Sequence, residues 1–171
     1  VTLRLTGQQE ILDAIRTLKV RGAPAIGVAA AIGLYLAAKS ICADSFDAFY
    51  REFQAAKDAL ASTRPTAVNL FWALERMERV VLASRELPVL EIKRRLYSEA
   101  MAIREEDIKV CRAIGEHGLP LLRDGDGILT HCNAGRLATV QYGTALAPIY
   151  LGCEKGYRFR VFADETRPLL Q

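Results

Sequence analysis

The chain has 171 residues, of which 51% are hydrophobic and 25% charged, with a net charge of +3 at pH 7. These values suit one folded domain, or a small domain with part of a second, and exclude a disordered or low-complexity chain. The charge is too mild for a nucleic-acid surface, which leaves anionic small molecules held by local arginines.

Four cysteines, Cys42, Cys111, Cys132 and Cys153, form no CxxC pair, and the histidines are His117 and His131. A zinc site needs about four clustered ligands, so no metal is expected. Cysteines this widely spaced, without a signal peptide, point to a reducing, cytoplasmic compartment. The longest apolar stretch, 23–38, is shorter than the ~20 residues of a membrane span. It also contains Pro24, Gly27 and Gly33 and reads as a buried helix, with no membrane partner. The chain starts at Val1 and stops at Gln171, and both ends read as cut.

In chain order, residues 1–5 alternate as a short strand would. Ile11, Leu12, Ile15 and Leu18 recur at helical spacing. VRGAPAIG then opens a second helix, with Pro24 in its first turn, and that helix is apolar on all faces. Phe46, Phe49, Tyr50, Phe53 and Leu60 mark a third helix, capped by Asp44 or Ser45. Thr66 is the expected cap of a fourth, with the stripe Val68, Phe71, Leu74, Met77 and Val81. A break at 86–88 leads to a long fifth helix with the stripe Ile92, Leu96, Ala100, Ile103, Val110 and Ile114.

After Pro120 the character changes. DGDG (124–127) is turn chemistry, GILTHC a short strand, AGRLATVQYGTALAPIYLG a helix broken late by Pro148, and YRFRVFADE a second strand. Strand, helix, strand over so few residues is a βαβ unit. The expected fold class is therefore α/β. A helical domain with a short strand covers 1–120, and 121–171 begins a parallel-sheet domain with too few strands to be complete.

THCNAG (130–135) falls at the first βα turn, and open parallel sheets bind ligands at the carboxyl ends of their strands. Cys132 would lie there, just before a helix N-terminus that favours its thiolate. Such a thiol suits acid–base or nucleophilic work; the competing reading is a small buried residue in a tight turn. The other three cysteines read as structural. So does His131, because neighbours on a strand point to opposite faces. Arg21, at the start of the second helix, combines a guanidinium with free backbone N–H groups, and Gly22 lets the backbone approach a phosphate. Arg64 repeats the design before the fourth helix; the competing readings are a plain helix-entry turn with a surface arginine at Arg21 and a simple break between two helices at Arg64. In DETRPLLQ, Asp164 and Glu165 are acid–base candidates and Arg167 and Gln171 candidate ligands of hydroxyls or phosphate, although Glu165 and Arg167 equally suit bracing the turn. The charge run 104–109 reads as a solvated face.

VRGAPAIG, RPTAVNL, ILTHCNAG, LATVQYGTAL and DETRPLLQ, in this order, resemble the 5-methylthioribose-1-phosphate isomerases of methionine salvage. Ribose-1,5-bisphosphate isomerases and the regulatory subunits of a translation-initiation exchange factor belong to the same wider family. The resemblance covers nearly the whole chain, and THCNAG with RPTAVNL favours the isomerase branch. It implies a helical N-terminal domain joined to a Rossmann-like one, commonly a homodimer, acting on a small sugar phosphate without metal or nucleotide. It places the catalytic cysteine at Cys132 and substrate-binding residues at Arg21, Gly22, Ala23, Arg64 and Gln171. It also implies a catalytic aspartate beyond Gln171, so this chain alone is expected to be inactive. Arg136 departs from the family pattern, which has a smaller residue there.

Overall fold

The structure, a computed structural model, describes residues 2–165 and 167. The first of two compact units ends at Arg104 and the second starts at Glu105. The first contains α1 (Gln8–Arg16), α2 (Ala23–Ser40), α3 (Phe46–Ala61), α4 (Val68–Ala83) and the first half of α5 (Val89–Gly118). The second contains the rest of α5, β1 (Gly127–Thr130), α6 (Ala147–Glu154) and β2 (Arg160–Ala163). The composition change at 120/121 lies further along the chain than this division. Residues 105–118 continue a helical sequence pattern, yet they pack on α6 at Gly115 and Gly118.

In the first unit, α2 is the hub, packed on α1, α3 and α4. Among the described residues it is the one helix long and apolar enough to cross a membrane, but half of it is buried inside the protein. It is the core helix that its all-round apolar surface predicts. Ile11, Leu12 and Ile15 of α1 and Phe49, Phe53 and Leu60 of α3 close the core around it. Local signals set the starts. Ser45 Oγ accepts from Ala48 N at 3.3 Å to cap α3, and Glu10 accepts from the N–H groups of Thr6 and Gly7 before α1. Glu78 ties α4 to α3, accepting from Tyr50 Oη at 2.8 Å, from Lys57 Nζ at 2.5 Å and from Gln54.

Four sequence expectations need correction here. Residues 2–5 form no strand, since no described segment pairs with them. The buried face of α4 is Leu70, Ala73, Leu74, Met77 and Val81, with Val68 79% exposed; Ala67, not Thr66, is the N-cap. On α5 the buried line runs through Ile92, Leu96, Ala100, Ile103 and then Cys111, leaving Val110 and Ile114 exposed. Continuing from Ile103 in steps of four reaches position 107, an aspartate, which hid the line from a search for apolar residues.

Gly27 sets the closest approach of α2 to α4. A Cβ there would stand 2.8 Å from the backbone oxygen of Asn69, which belongs to the first turn of α4. Backbone cannot yield as a side-chain tip can. Gly27→Ala is therefore expected to lower the thermal unfolding midpoint. Overpacking costs about 1–3 kcal/mol, more than the ~1 kcal/mol that alanine gains in helix propensity. An unchanged or raised midpoint would show that the two helices can separate freely.

In the second unit, β1 and β2 pair in parallel, from Gly127 opposite Arg160 to Thr130 opposite Ala163. The DGDG turn is fastened to the start of β2: Asp124 Oδ1 accepts from Arg158 N at 2.7 Å, and Gly125 N donates to Arg158 O at 2.8 Å. The strand–helix–strand order holds, so the fold class is α/β, mostly helical with a small parallel sheet. The expected long helix across 134–152 does not form. Only Ala147–Glu154 is α-helical, and Pro148 starts this helix instead of breaking it. Positive φ values at Tyr142 and Gly143, 70° and 80°, are incompatible with a helix running through them. The sheet is open: all four residues of β2 are exposed, Phe162 by 58%.

Candidate active site

Parallel pairing puts the ends of β1 and β2 side by side, so the segments that follow them meet. His131 Nδ1–H donates to Asp164 Oδ2 at 2.8 Å across the two strand ends. The pair is exposed, His131 by 82% and Asp164 by 53%. Glu165 and Arg167 pair with each other at 2.6 Å, both exposed.

Cys132 follows directly. It is exposed, in no disulfide, and has a φ of 73°. A cysteine in the left-handed region costs about 1–3 kcal/mol, and such strain persists only where the surroundings over-determine it. In this chain the thiol is exposed, whereas the competing reading places a small buried residue there. No α-helix begins beside Cys132; a three-residue 3-10 turn starts at Arg136. The helix-dipole argument therefore does not apply.

The loop behind Cys132 folds back on itself. Thr144 N and Leu146 N both donate to Ala134 O, at 2.9 and 3.3 Å. Thr139 Oγ1 accepts from Gly143 N at 3.0 Å and donates to Gln141 O at 3.0 Å. Only glycine fits at 143, where φ is 80° and a Cβ would lie 2.5 Å from Ala134 O. Arg136 is exposed but partnered: its guanidinium lies 4.4 Å from the ring centre of Tyr150 and 3.5 Å from Glu154, both on α6.

In the helical unit, the contact of Gly27 with Asn69 brings the N-terminal turns of α2 and α4 together. Arg21 precedes the first of those turns and Arg64 the second. Neither helix has a side-chain cap: the N-cap positions are Gly22 and Ala67. Their first N–H groups keep their positive ends for another acceptor. Gly22 is buried and Ala23 exposed. Nη1 of Arg64 is buried with no hydrogen-bond partner among the described residues. A buried, unpaired guanidinium N–H is costly unless something binds it.

Gln171 lies outside the described residues. Sequence reasoning missed Asp107, whose carboxylate reaches the Cys132 loop by accepting from Val140 N at 2.7 Å. Its place on the buried line of α5 was the available signal. Among the described residues, no group of three or more His, Cys, Asp or Glu is placed to hold a metal ion.

Residues 19–171 match the Initiation factor 2 subunit family. The chain belongs to that family. It is 66% identical over 169 residues to a methylthioribose-1-phosphate isomerase of Symbiobacterium thermophilum, covering 99% of this chain and 47% of that protein. It is 57% identical over 171 residues to a 5-deoxyribose 1-phosphate isomerase of Moorella thermoacetica, covering 100% and 49%. Among solved structures it resembles 5-methylthioribose 1-phosphate isomerase from Pyrococcus horikoshii, with a TM-score of 0.89, 43% identity, and 96% and 46% coverage. It is also similar to translation initiation factor eIF-2B, subunit delta, from A. fulgidus, with a TM-score of 0.88, 46% identity, and 99% and 49% coverage. The chain spans about half the length of the curated relatives it matches.

Proposed function

We propose that this chain is part of an aldose–ketose isomerase that converts 5-methylthioribose 1-phosphate to 5-methylthioribulose 1-phosphate in methionine salvage, and that alone it is inactive. The observation that carries this reading is the 66% identity, over nearly the whole chain, to a relative named for that substrate. A cysteine held exposed in a strained conformation at a strand end supports it chemically.

The substrate's anomeric oxygen carries phosphate, so the furanose ring does not open as a free hemiacetal does. An acid must protonate the ring oxygen as its bond to C1 breaks. Hydrogen then moves from C2 to C1, either as a proton through an enediol or as a hydride. An acid–base pair serves the first route, with Cys132 as one member and an aspartate beyond Gln171 as the other. Arg21, Arg64 and the N–H groups around Gly22 and Ala23 bind phosphate and hydroxyls, and Gln171 binds a hydroxyl. This chemistry calls on no metal or nucleotide. The working form in this reading is a cytoplasmic homodimer, in which the rest of the longer protein covers the exposed faces of β1 and β2.

A second substrate has a specific observation in its favour: the Moorella relative is named for 5-deoxyribose 1-phosphate. The two sugars share the C1 phosphate and an apolar 5-position, so the chemistry proposed is the same. The test is isomerase activity of this chain, and of a protein of the relatives' full length containing it, on both sugars and on ribose 1,5-bisphosphate. Activity of the long form only, on the methylthio sugar, is expected. A well-folded long form inactive on all three sugars would favour a non-catalytic subunit of the same fold.

A further inference from the structure

We infer that Asp107 is a positioning residue for Cys132, holding the loop behind the thiol to α5; this rests on the reading of Cys132 as the working group. Cys132 adopts a φ of 73°, which requires a backbone fixed on its far side. No α-helix supplies that rigidity, since α6 begins only at Ala147. Hydrogen bonds supply it instead. Asp107 Oδ2 accepts from Val140 N at 2.7 Å. Next to Val140, Thr139 is 6% exposed, and its hydroxyl fastens Gly143. Thr144 and Leu146 then bind Ala134 O, two residues beyond Cys132. Each link is short, and together they run from the helix to the strained turn.

A carboxylate is a costly choice for this place, which makes filler a poor account of it. Burial pushes the Asp107 carboxyl above its ordinary value, against the opposing pull of Val140 N–H and Cys111. Both oxygens are used: Cys111 Sγ–H donates to Oδ1 at 3.9 Å while Val140 takes Oδ2. An apolar residue would pack here without desolvation cost, but it would leave the Val140 N–H unsatisfied and the loop free to shift. Asparagine keeps one acceptor and can preserve the bond to Val140.

The experiment compares wild type, Asp107→Ala, Asp107→Leu and Asp107→Asn in the protein of the relatives' full length. Three quantities are read: kcat and KM, the iodoacetamide alkylation rate at Cys132 by peptide mass mapping, and the thermal midpoint. Asp107→Ala and Asp107→Leu are expected to lower kcat about 10–100-fold, with KM within about threefold, as displacement of a reacting group by an ångström does. Their Cys132 alkylation rates should change at least ~3-fold, and Asp107→Asn should stay near wild type in both readouts. Leucine fills the space, so it serves if the alanine variant fails to fold. Apolar variants with wild-type kcat and alkylation would overturn the inference, as would an asparagine variant as impaired as they are. If wild type isomerises neither sugar, the proposed function fails by itself and the alkylation rates alone decide the role of Asp107.

Discussion

Cys132→Ser in the full-length protein is expected to cut kcat by about 10²–10⁴-fold, the usual worth of a positioned acid–base group, with the fold intact. The hydroxyl is nearly isosteric with the thiol but far less acidic, so it neither gives nor takes a proton readily near neutral pH. Cys132→Gly should be equally inactive, yet no less stable than wild type. At a φ of 73° glycine releases about 1–3 kcal/mol of strain and loses roughly 0.5–1 kcal/mol to the entropy of the unfolded chain. Turnover and thermal unfolding of the two variants separate strain held for function from strain that is incidental. A serine variant retaining a tenth or more of the activity would remove Cys132 from the chemistry. A glycine variant clearly less stable than wild type would mean that the thiol makes contacts worth more than its strain.

The two halves of the chain were legible to different degrees, for physical reasons. α2 and α3 carry their information locally: Pro24 in a first turn, Ser45 as a cap, and apolar residues at helical spacing. The pairing of β1 with β2 followed from two short apolar runs and a connection long enough to cross over. The loop between them defeated the same reasoning. Its apolar residues are spaced as in a helix, but Tyr142 and Gly143 adopt positive φ and Thr139 binds the backbone instead of solvent. Such a loop is set by contacts distant in sequence, and periodicity does not report them. Asp107 was hidden in the same way. Within the charged run 104–109 it looks like its solvated neighbours, and only its i+4 relation to Ile103 and Cys111 marks the buried line of α5. At Cys132 the expected helix N-terminus is absent, because the turn takes a positive φ and only a short 3-10 turn follows it.

Arg64→Met carries the largest expected effect on binding, and its effect on stability has the opposite sign. Nη1 of Arg64 is buried with no partner among the described residues. In the ligand-free protein that group incurs a desolvation cost of about 1–3 kcal/mol without a compensating bond. Methionine keeps much of the side-chain volume and removes the charge, so the free variant should unfold at the same temperature or higher. Substrate binding should suffer instead: loss of a charge-assisted hydrogen bond worth about 1.5–3 kcal/mol raises KM roughly 10–100-fold. Inorganic phosphate distinguishes this from simple repacking, without requiring turnover. A ligand bound only by the folded state stabilises in proportion to the logarithm of its saturation. Millimolar phosphate should therefore raise the wild-type midpoint and leave the Arg64→Met midpoint nearly unmoved. Equal shifts in both proteins would show that phosphate binds elsewhere. A variant that unfolds well below wild type without phosphate would show that the guanidinium supports the helical layer and is not held in readiness for an anion.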